Sequence, residues 1–441
     1  MTLAFVVVLS LLLPFARAAD PKNESPTPAP TSNPASAGPA PAFVIPPAAQ
    51  AAAGKPFDPI AATDAYLATI PADQRAKSDA YFEGGYWLRL WGFLLSAAIS
   101  LGLLASGLSV RIRRLAERLT RFRWLQPLVY GACYLVIVTA LTFPLTIYED
   151  FYREHAYGLM VEPLGQWLGE QAIGLLVNAV LGGIAVFLLY LMLRKVRGAW
   201  WLWAGAGTTL FLLFVVTIAP VFISPLFNRY KVLDDPAVRE PILSLARANR
   251  IPAENVYVFD ESKQSNRISA NVSGALGTMR ISMTDNLLTR CSPGAVRAVL
   301  GHEMGHYVMN HVYKLVLMLG IVFLISFAAT AWGFERLRTR FGIESISDPA
   351  GLPLIVLLMS SCVFVLTPVI NTIIRMHEAE ADAFGLNAAR EPDGMAEAAI
   401  KLAEYRKMKP GPWEEFIFYD HPSGYDRILR SMTWKAENTA H

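Results

Sequence analysis

Residues 299–320 read Val-Leu-Gly-His-Glu-Met-Gly-His-Tyr-Val-Met-Asn-His-Val-Tyr-Lys-Leu-Val-Leu-Met-Leu-Gly, a histidine motif that passes directly into an apolar run. His302 and His306 are four residues apart, so on an α-helix they share one face. Two imidazoles in this arrangement can bind one metal ion, and Glu303 beside them can take a proton from a water molecule. The stretch predicts a hydrolytic metal site where a membrane helix emerges into water.

The residues that flank the motif support a helix. Ser292 is suited to the N-cap and Pro293 to the first helical position. We therefore expect a helix that starts there, carries the motif and continues into the apolar run from Leu315 to Phe334. The pattern also arises by chance, and histidines on helices are often structural, so the motif alone does not establish a metal site.

The composition indicates a membrane protein. Of 441 residues, 54% are hydrophobic and 17% are charged, and the mean hydropathy of +0.35 is too high for a soluble protein. The formal net charge is only +3, and the basic residues cluster beside apolar runs, so we expect no nucleic-acid binding. The three cysteines stand apart, which argues against a disulfide framework and a cysteine metal site.

Apolar runs long enough to cross about 30 Å of hydrocarbon predict the fold. The six runs are Trp91 to Val110, Leu125 to Tyr148, Ala172 to Leu193, Trp200 to Ile223, Leu315 to Phe334 and Gly351 to Ile374. Tryptophans lie near their ends, as in an interfacial aromatic belt. Buried helices of a large soluble protein are the alternative, which uncharged runs of this length disfavour. We predict a mainly α fold, a polytopic transmembrane helical bundle.

Changes in composition divide the chain into segments. Residues 1–18 have an apolar core and an Ala-x-Ala pattern that predict a signal peptide, with an uncleaved anchor or a misplaced start codon as alternatives. Residues 19–57 are rich in Pro and Ala and predict a disordered linker. The remaining segments are a membrane region with four spans (58–225), a polar segment with the His-Glu-x-x-His pattern typical of zinc peptidases, hereafter the polar peptidase segment (226–312), two further spans (313–374) and a C-terminal segment (375–441).

The polar peptidase segment contains the predicted sheet. Asn255 to Phe259 is rich in β-formers, and Arg280 to Met283 is a second candidate strand after a turn region at Gly274 and Gly277. Pro236 to Arg250 has the pattern of an amphipathic helix. We therefore expect a small α+β unit on the helical bundle.

Basic residues predict the orientation of the bundle. The connections after the first, third and fifth runs are rich in Lys and Arg, whereas Arg153 is the sole Lys or Arg from Glu149 to Glu170. Because cytoplasmic loops carry the excess of Lys and Arg, the peptidase segment is expected on the opposite side. For a bacterial inner membrane, that side is the periplasm.

A catalytic zinc site usually has three protein ligands plus water, so a third ligand is needed. His311 is five residues past His306 and therefore lies on the wrong helical face for the same ion. Glu378 and Asp382 follow the last run and share a helical face, so one carboxylate can bind metal while the other hydrogen-bonds a ligand histidine. An ordinary solvated acidic turn is the alternative.

These motifs together resemble a known family. The His-Glu-x-x-His motif at residues 302–306, with the later Arg-x-x-Glu-x-x-Ala-Asp pattern from Arg375 to Asp382, is similar to the integral-membrane type I CAAX prenyl proteases, which are gluzincin zinc metallopeptidases. Pro220 to Phe227 and His421 to Ser423 resemble further segments of that family in the same order. The likeness covers about residues 87–435.

The resemblance implies a role for each matching residue. It implies that one Zn²⁺ per chain is bound by His302, His306 and Glu378. Glu303 would be the general base, Asp382 would orient a ligand histidine, and His421 would hydrogen-bond the tetrahedral oxyanion.

This chain departs from the family pattern at the stretch that lines the substrate groove. Where the family typically has Asn-Ala, this chain has Ser269 and Ala270, followed by Asn271. These three residues are the predicted substrate-binding residues. The family's eukaryotic members also carry their proteolytic side toward the cytosol, opposite to the side that the basic residues indicate here.

We predict a membrane-embedded zinc metalloendopeptidase that acts on protein or peptide substrates at the lipid bilayer. A quality-control protease for membrane or periplasmic proteins is one alternative. A metal-regulated transporter or receptor is another, although the predicted spans contain few ionisable residues and no repeat between halves.

Overall fold

The computed structural model describes residues 43–51, 56–196, 198–274 and 279–439. The predicted signal peptide, residues 1–18, lies outside the described residues. Helices of the first half are α1 (Pro59–Ala68), α2 (Ala72–Ala105), α3 (Leu108–Leu119), α4 (Gln126–Ile147), α5 (Glu154–Tyr157), α6 (Leu164–Lys195) and α7 (Trp200–Ile218). Those of the second half are α8 (Pro236–Ala248), α9 (Asp285–Arg290), α10 (Pro293–Val308), α11 (His311–Leu337), α12 (Leu352–Ala389), α13 (Pro392–Leu402), α14 (Pro412–Phe418) and α15 (Gly424–Thr439).

The predicted membrane bundle is confirmed. Among the described residues, six helical stretches are long and apolar enough to cross a membrane: Ala72–Ala105, Gln126–Tyr157, Leu164–Lys195, Trp200–Ile218, His311–Phe341 and Pro349–Ala389. Many apolar side chains on them face outward, including Leu210, Ile325 and Val365, as expected of helices in contact with lipid. Buried residues of α7, α11 and α12, such as Leu212, Phe323 and Met359, form the core of the bundle.

A four-stranded sheet forms the predicted α+β unit. Its strands are β1 (Tyr230–Val232), β2 (Val256–Phe259), β3 (Ala270–Ser273) and β4 (Arg280–Thr284), in the order β1-β2-β4-β3. β2 and β4 pair in parallel, and the other two pairs are antiparallel.

The predicted strands correspond to β2 and β4, whose buried residues include Val256, Ile281 and Met283. β1 and β3 escaped prediction because they are short and carry polar residues. Of the predicted turn region, Gly274 has φ +121°, and Gly277 lies outside the described residues.

The helix that carries the motif starts as predicted but does not continue into the membrane. The Ser292 hydroxyl accepts a hydrogen bond from the backbone N–H of Ala295, and Pro293 is the first residue of α10. α10 ends at Val308, and Asn310 has a left-handed φ of +57°. Asn tolerates this conformation better than most residues. The predicted continuous helix is therefore wrong, and α11 starts afresh at His311.

Glycines let α10 and α12 approach closely. A Cβ atom on Gly385 of α12 would lie 2.8 Å from the backbone nitrogen of His302, and one on Gly301 would lie 3.2 Å from the carbonyl oxygen of Gly385. Larger residues would push the helices apart. The motif and the carboxylates of α12 can therefore face each other at short range.

The described part of the predicted linker is packed. Residues 43–51 contain a short 3₁₀ turn, and Phe43 stacks on the ring of Tyr66. The Lys435 ammonium donates to the carbonyl of Ala49 at 2.7 Å and to Asp393 of α13. The prediction of disorder from Pro and Ala content fails for this part, because its apolar residues pack against α13 and α15.

Candidate metal and active site

Three side chains from two helices converge at one point. His302 and His306 project from α10 and Glu378 from α12, and one ligand atom of each lies within 4.8 Å of the others. Nε2 of His302 is 3.2 Å from Oε2 of Glu378, and Nε2 of His306 is 3.5 Å from Oε1. The structure therefore brings together the three side chains that were predicted as metal ligands.

The geometry of this trio suits a divalent cation. The two Nε2 atoms face each other at 3.1 Å, so they cannot both carry a hydrogen. Oε2 of Glu378 is buried and has no hydrogen-bond partner among the described residues, although it is close to His302. A buried carboxylate oxygen without a donor is costly. Two imidazoles and a carboxylate form a donor set that fits a metal ion.

Asp382 supports His302 from the other side of the ring. Its Oδ1 lies 2.9 Å from Nδ1 of His302, and its side chain is 1% exposed. Arg427 of α15 donates to both oxygens of Asp382, at 2.5 and 3.0 Å. Burial lowers the pKa of His302, but the hydrogen bond to Asp382 and the negative charges of Asp382 and Glu378 outweigh burial and raise this pKa to about 10. The carboxylates around His302 thus create a strongly negative environment that also attracts a cation.

Glu303 follows His302 on α10 and is partly buried. Burial raises the pKa of Glu303, and the nearby His302 and His306 oppose that shift. A carboxyl group whose pKa is raised toward neutrality can both accept and return a proton.

His421 reaches the trio from the loop between α14 and α15. Its Nε2 lies 3.4 Å from Oε2 of Glu378, and its Nδ1 lies 2.8 Å from Oδ1 of Asp420. α12 holds this loop, because Arg375 donates to the carbonyl of Tyr419 at 2.5 Å and Asn371 to that of Ile417 at 2.7 Å. One helix therefore positions both Glu378 and His421.

The predicted substrate-binding residues lie on the edge of the sheet. Ala270 and Asn271 start β3, an edge strand that packs against α10, and Ser269 precedes it. The backbone N–H of Ser269 donates to the Thr284 hydroxyl, and the Asn271 side chain accepts from Ser273. These bonds hold the strand and do not join the three residues to the trio.

Several side chains around the trio were not assigned a role from the sequence. They are Arg427, Arg430, Asp420, Glu380 and His311. Arg427 was noted as part of the segment that resembles the family, without a role. His311 was excluded because the motif helix was assumed to be continuous, and the Asn just before it is the signal that a break was available.

Comparisons with known proteins agree with this architecture. A family model described as peptidase family M48 matches residues 233–434. A second, described as CAAX prenyl protease N-terminal, five membrane helices, matches residues 62–229. In this part of the chain the described residues form four helical stretches of spanning length, besides most of α1 and the shorter α3.

Similar proteins come from bacteria and eukaryotes. The chain is 32% identical over 342 residues to a protein named uncharacterized metalloprotease YhfN of Bacillus subtilis, covering 76% of this chain and 80% of that protein. It is 29% identical to a CAAX prenyl protease 1 homolog of Oryza sativa, covering 67% and 71%. It is 25% identical to CAAX prenyl protease 1 of Saccharomyces cerevisiae, covering 70% and 73%.

A solved structure shares the fold. The crystal structure of S. mikatae Ste24p matches with a TM-score of 0.71 and 22% identity, covering 82% of this chain and 89% of that one. The family predicted from the motifs is confirmed, and the matches do not favour the transporter, receptor or quality-control alternatives. The chain thus belongs to peptidase family M48, as a multi-pass membrane metalloprotease related to the CAAX prenyl proteases.

Proposed function

We propose that this metalloprotease is a zinc endopeptidase of the His-Glu-x-x-His gluzincin type, with one Zn²⁺ per chain held by His302, His306 and Glu378. The convergence of these side chains within 4.8 Å carries the proposal, together with the buried Oε2 of Glu378 that lacks a hydrogen-bond partner. When bound, zinc supplies the Lewis acidity that polarises a peptide carbonyl and makes water more acidic.

Glu303 is the proposed general base. Its carboxylate takes a proton from the attacking water and returns it to the amine that leaves. Its place next to His302 on α10 and its raised pKa suit both transfers.

The proposed task of His421 is to stabilise the oxyanion. Its Nε2 lies on the Glu378 side of the trio, and Asp420 accepts a hydrogen bond from Nδ1, which fixes the ring orientation. The proposed task of Asp382 is to hold His302 so that Nε2 faces the metal.

Proteins or peptides are the proposed substrates. An extended peptide can add to a free sheet edge through its backbone, so Ser269, Ala270 and Asn271 at β3 are the proposed contacts. The proposed domain organisation joins the peptidase segment, residues 226–312, to the C-terminal segment, residues 375–441, across this site, because Glu378 and His421 come from the latter.

We place the protein in a bacterial inner membrane with its catalytic side toward the periplasm. The basic connections after the first, third and fifth predicted spans support this orientation. A reporter fused after His441 that proved cytoplasmic would overturn it.

The test of the proposed function is Glu303→Gln. The variant should keep one zinc per chain but lose about 10²–10⁴-fold in peptide hydrolysis, because the amide cannot accept the proton. Zinc content and cleavage of a peptide library are measured on full-length protein purified in detergent. Glu240→Gln, an exposed change on α8, is the matched control and should not affect either quantity.

Two outcomes would contradict the proposal. A Glu303→Gln variant that cleaves at the wild-type rate would remove Glu303 as base. Wild-type protein that binds zinc at unit ratio but hydrolyses none of the peptides would favour a binding protein instead.

A further inference from the structure

The Nδ1 side of His306 faces a second histidine. Nδ1 of His306 lies 3.0 Å from Nδ1 of His311, and Nε2 of His311 lies 3.0 Å from Oε2 of Glu380. His311 is 3% exposed, whereas Glu380 is 51% exposed. A chain of two hydrogen bonds therefore runs from a carboxylate near the surface to a proposed zinc ligand.

The break after α10 creates this contact. Because Asn310 adopts a left-handed conformation, α11 starts in a new direction with His311 as its first residue. The ring of His311 packs edge-on against the rings of His306 and His377, with centroids 5.1 and 4.8 Å away. A continuous helix would not bring residues five apart to the same face.

Hydrogen-bond chemistry assigns the donors along the chain. An ionised carboxylate only accepts, so Nε2 of His311 carries the hydrogen that points to Glu380. In a neutral ring, Nδ1 of His311 is then an acceptor, and Nδ1 of His306 must donate to it. His306 is left with a lone pair on Nε2, the nitrogen that faces His302 and Glu378.

We propose that His311 and Glu380 are positioning residues that fix the tautomer and the ring orientation of His306 and thereby strengthen zinc binding. The proposal rests on the proposed function, since it takes His306 as a zinc ligand. It assigns no proton transfer to the pair. A ligand imidazole whose other nitrogen has a fixed partner binds metal more tightly, and loss of such a partner weakens binding about 10–100-fold.

The first experiment measures zinc affinity by chelator competition on the full-length protein in detergent. His311→Ala should weaken zinc binding about 10–100-fold, because Nδ1 of His306 loses its acceptor. His311→Asn should restore most of the affinity, because its amide oxygen can accept from His306 at the place of Nδ1. The visible spectrum of the Co²⁺-loaded protein should change in His311→Ala and return toward wild type in His311→Asn.

The second experiment tests Glu380 through His311. Glu380→Ala should weaken zinc binding several-fold in the wild-type background, because Glu380 fixes the tautomer of His311. The loss should be smaller in the His311→Asn background, because the amide oxygen of Asn is an acceptor whether or not the carboxylate is present. Lys314→Gln is the control: its ammonium is 3.9 Å from Glu380 and exposed, so affinity should stay within about twofold of wild type.

The outcomes separate the positioning role of His311 and Glu380 from the proposed function. If the wild type binds zinc and cleaves peptides while His311→Ala matches it in affinity and Co²⁺ spectrum, the positioning role is wrong and the proposed function stands. Equal losses from Glu380→Ala in both backgrounds would show a through-space charge effect and also overturn the positioning role. If His311→Ala does not fold, the effect of Glu380→Ala in the wild-type background, compared with its effect in the His311→Asn background, tests the positioning role instead. A wild type that binds no zinc overturns both proposals.

Discussion

The two histidines of the motif have unequal supports on their Nδ1 sides. His302 contacts Asp382 directly, and that carboxylate is 1% exposed and paired with Arg427. His306 contacts His311, and the carboxylate that follows, Glu380, is 51% exposed. Each carboxylate helps to orient one imidazole, but Asp382 is buried in the protein whereas Glu380 is exposed to solvent.

Because Asp382 is buried and Glu380 is exposed, only Asp382 should contribute to the stability of the fold as well as to the orientation of a histidine. A buried carboxylate needs charged partners, so Asp382 holds α10, α12 and α15 together through Arg427 and Arg430 while it orients His302. A carboxylate in water needs none. We therefore expect changes on the Asp382 side to affect both stability and metal affinity, and changes on the Glu380 side to affect metal affinity alone.

Among these changes, Asp382→Ala should lower the stability most. Removal of the carboxylate leaves Arg427, whose side chain is 11% exposed, without its charged partner. Breaking a buried pair in this way lowers the free energy of unfolding by about 3–5 kcal/mol. Chemical unfolding of chelator-treated protein in detergent measures the loss apart from metal binding. Unchanged stability would contradict the expected difference between the two sides, because Asp382 and Glu380 would then be equivalent.

A smaller effect is expected for Gly385→Ala. The added Cβ atom would lie 2.8 Å from the backbone nitrogen of His302, and neither helix backbone can yield without moving α10 from α12. We expect a loss of about 1–3 kcal/mol in the free energy of unfolding and weaker zinc binding, since Asp382 and Glu378 retreat from His302. Gly92→Ala on α2, where a Cβ atom meets open space, is the control and should not destabilise.

The smallest effect is expected for Arg430→Gln. Its guanidinium lies 3.4 Å from Oδ2 of Asp382 and is 34% exposed, so solvent screens the pair. The same unfolding measurement should show a loss below about 1 kcal/mol. A loss as large as that of Asp382→Ala would show that Arg430, rather than Arg427, is the main partner of the buried carboxylate.

Much of the architecture follows from patterns within single helices and strands. The start of α10 at Ser292 and Pro293 and the strands β2 and β4 lie close to their predicted places, and each of the six spans overlaps its predicted run. The first run differs most, because α2 starts at Ala72 and ends at Ala105 rather than running from Trp91 to Val110. Long apolar runs and a capping residue leave few alternatives for the local backbone. β1, β3 and the packed residues 43–51 were missed because neighbouring segments, rather than their own sequences, stabilise them.

The spacing of His302 and His306, like that of Glu378 and Asp382, puts each pair on one helical face, because the pitch of an α-helix fixes which residues are neighbours. The long apolar runs likewise predict the membrane bundle. The packing of separate helices, by contrast, places Glu378 opposite the paired Nε2 atoms, Asp382 behind His302, and His311 next to His306. Those contacts depend on the close crossing of α10 and α12 and on the break at Asn310, which short-range patterns do not fix.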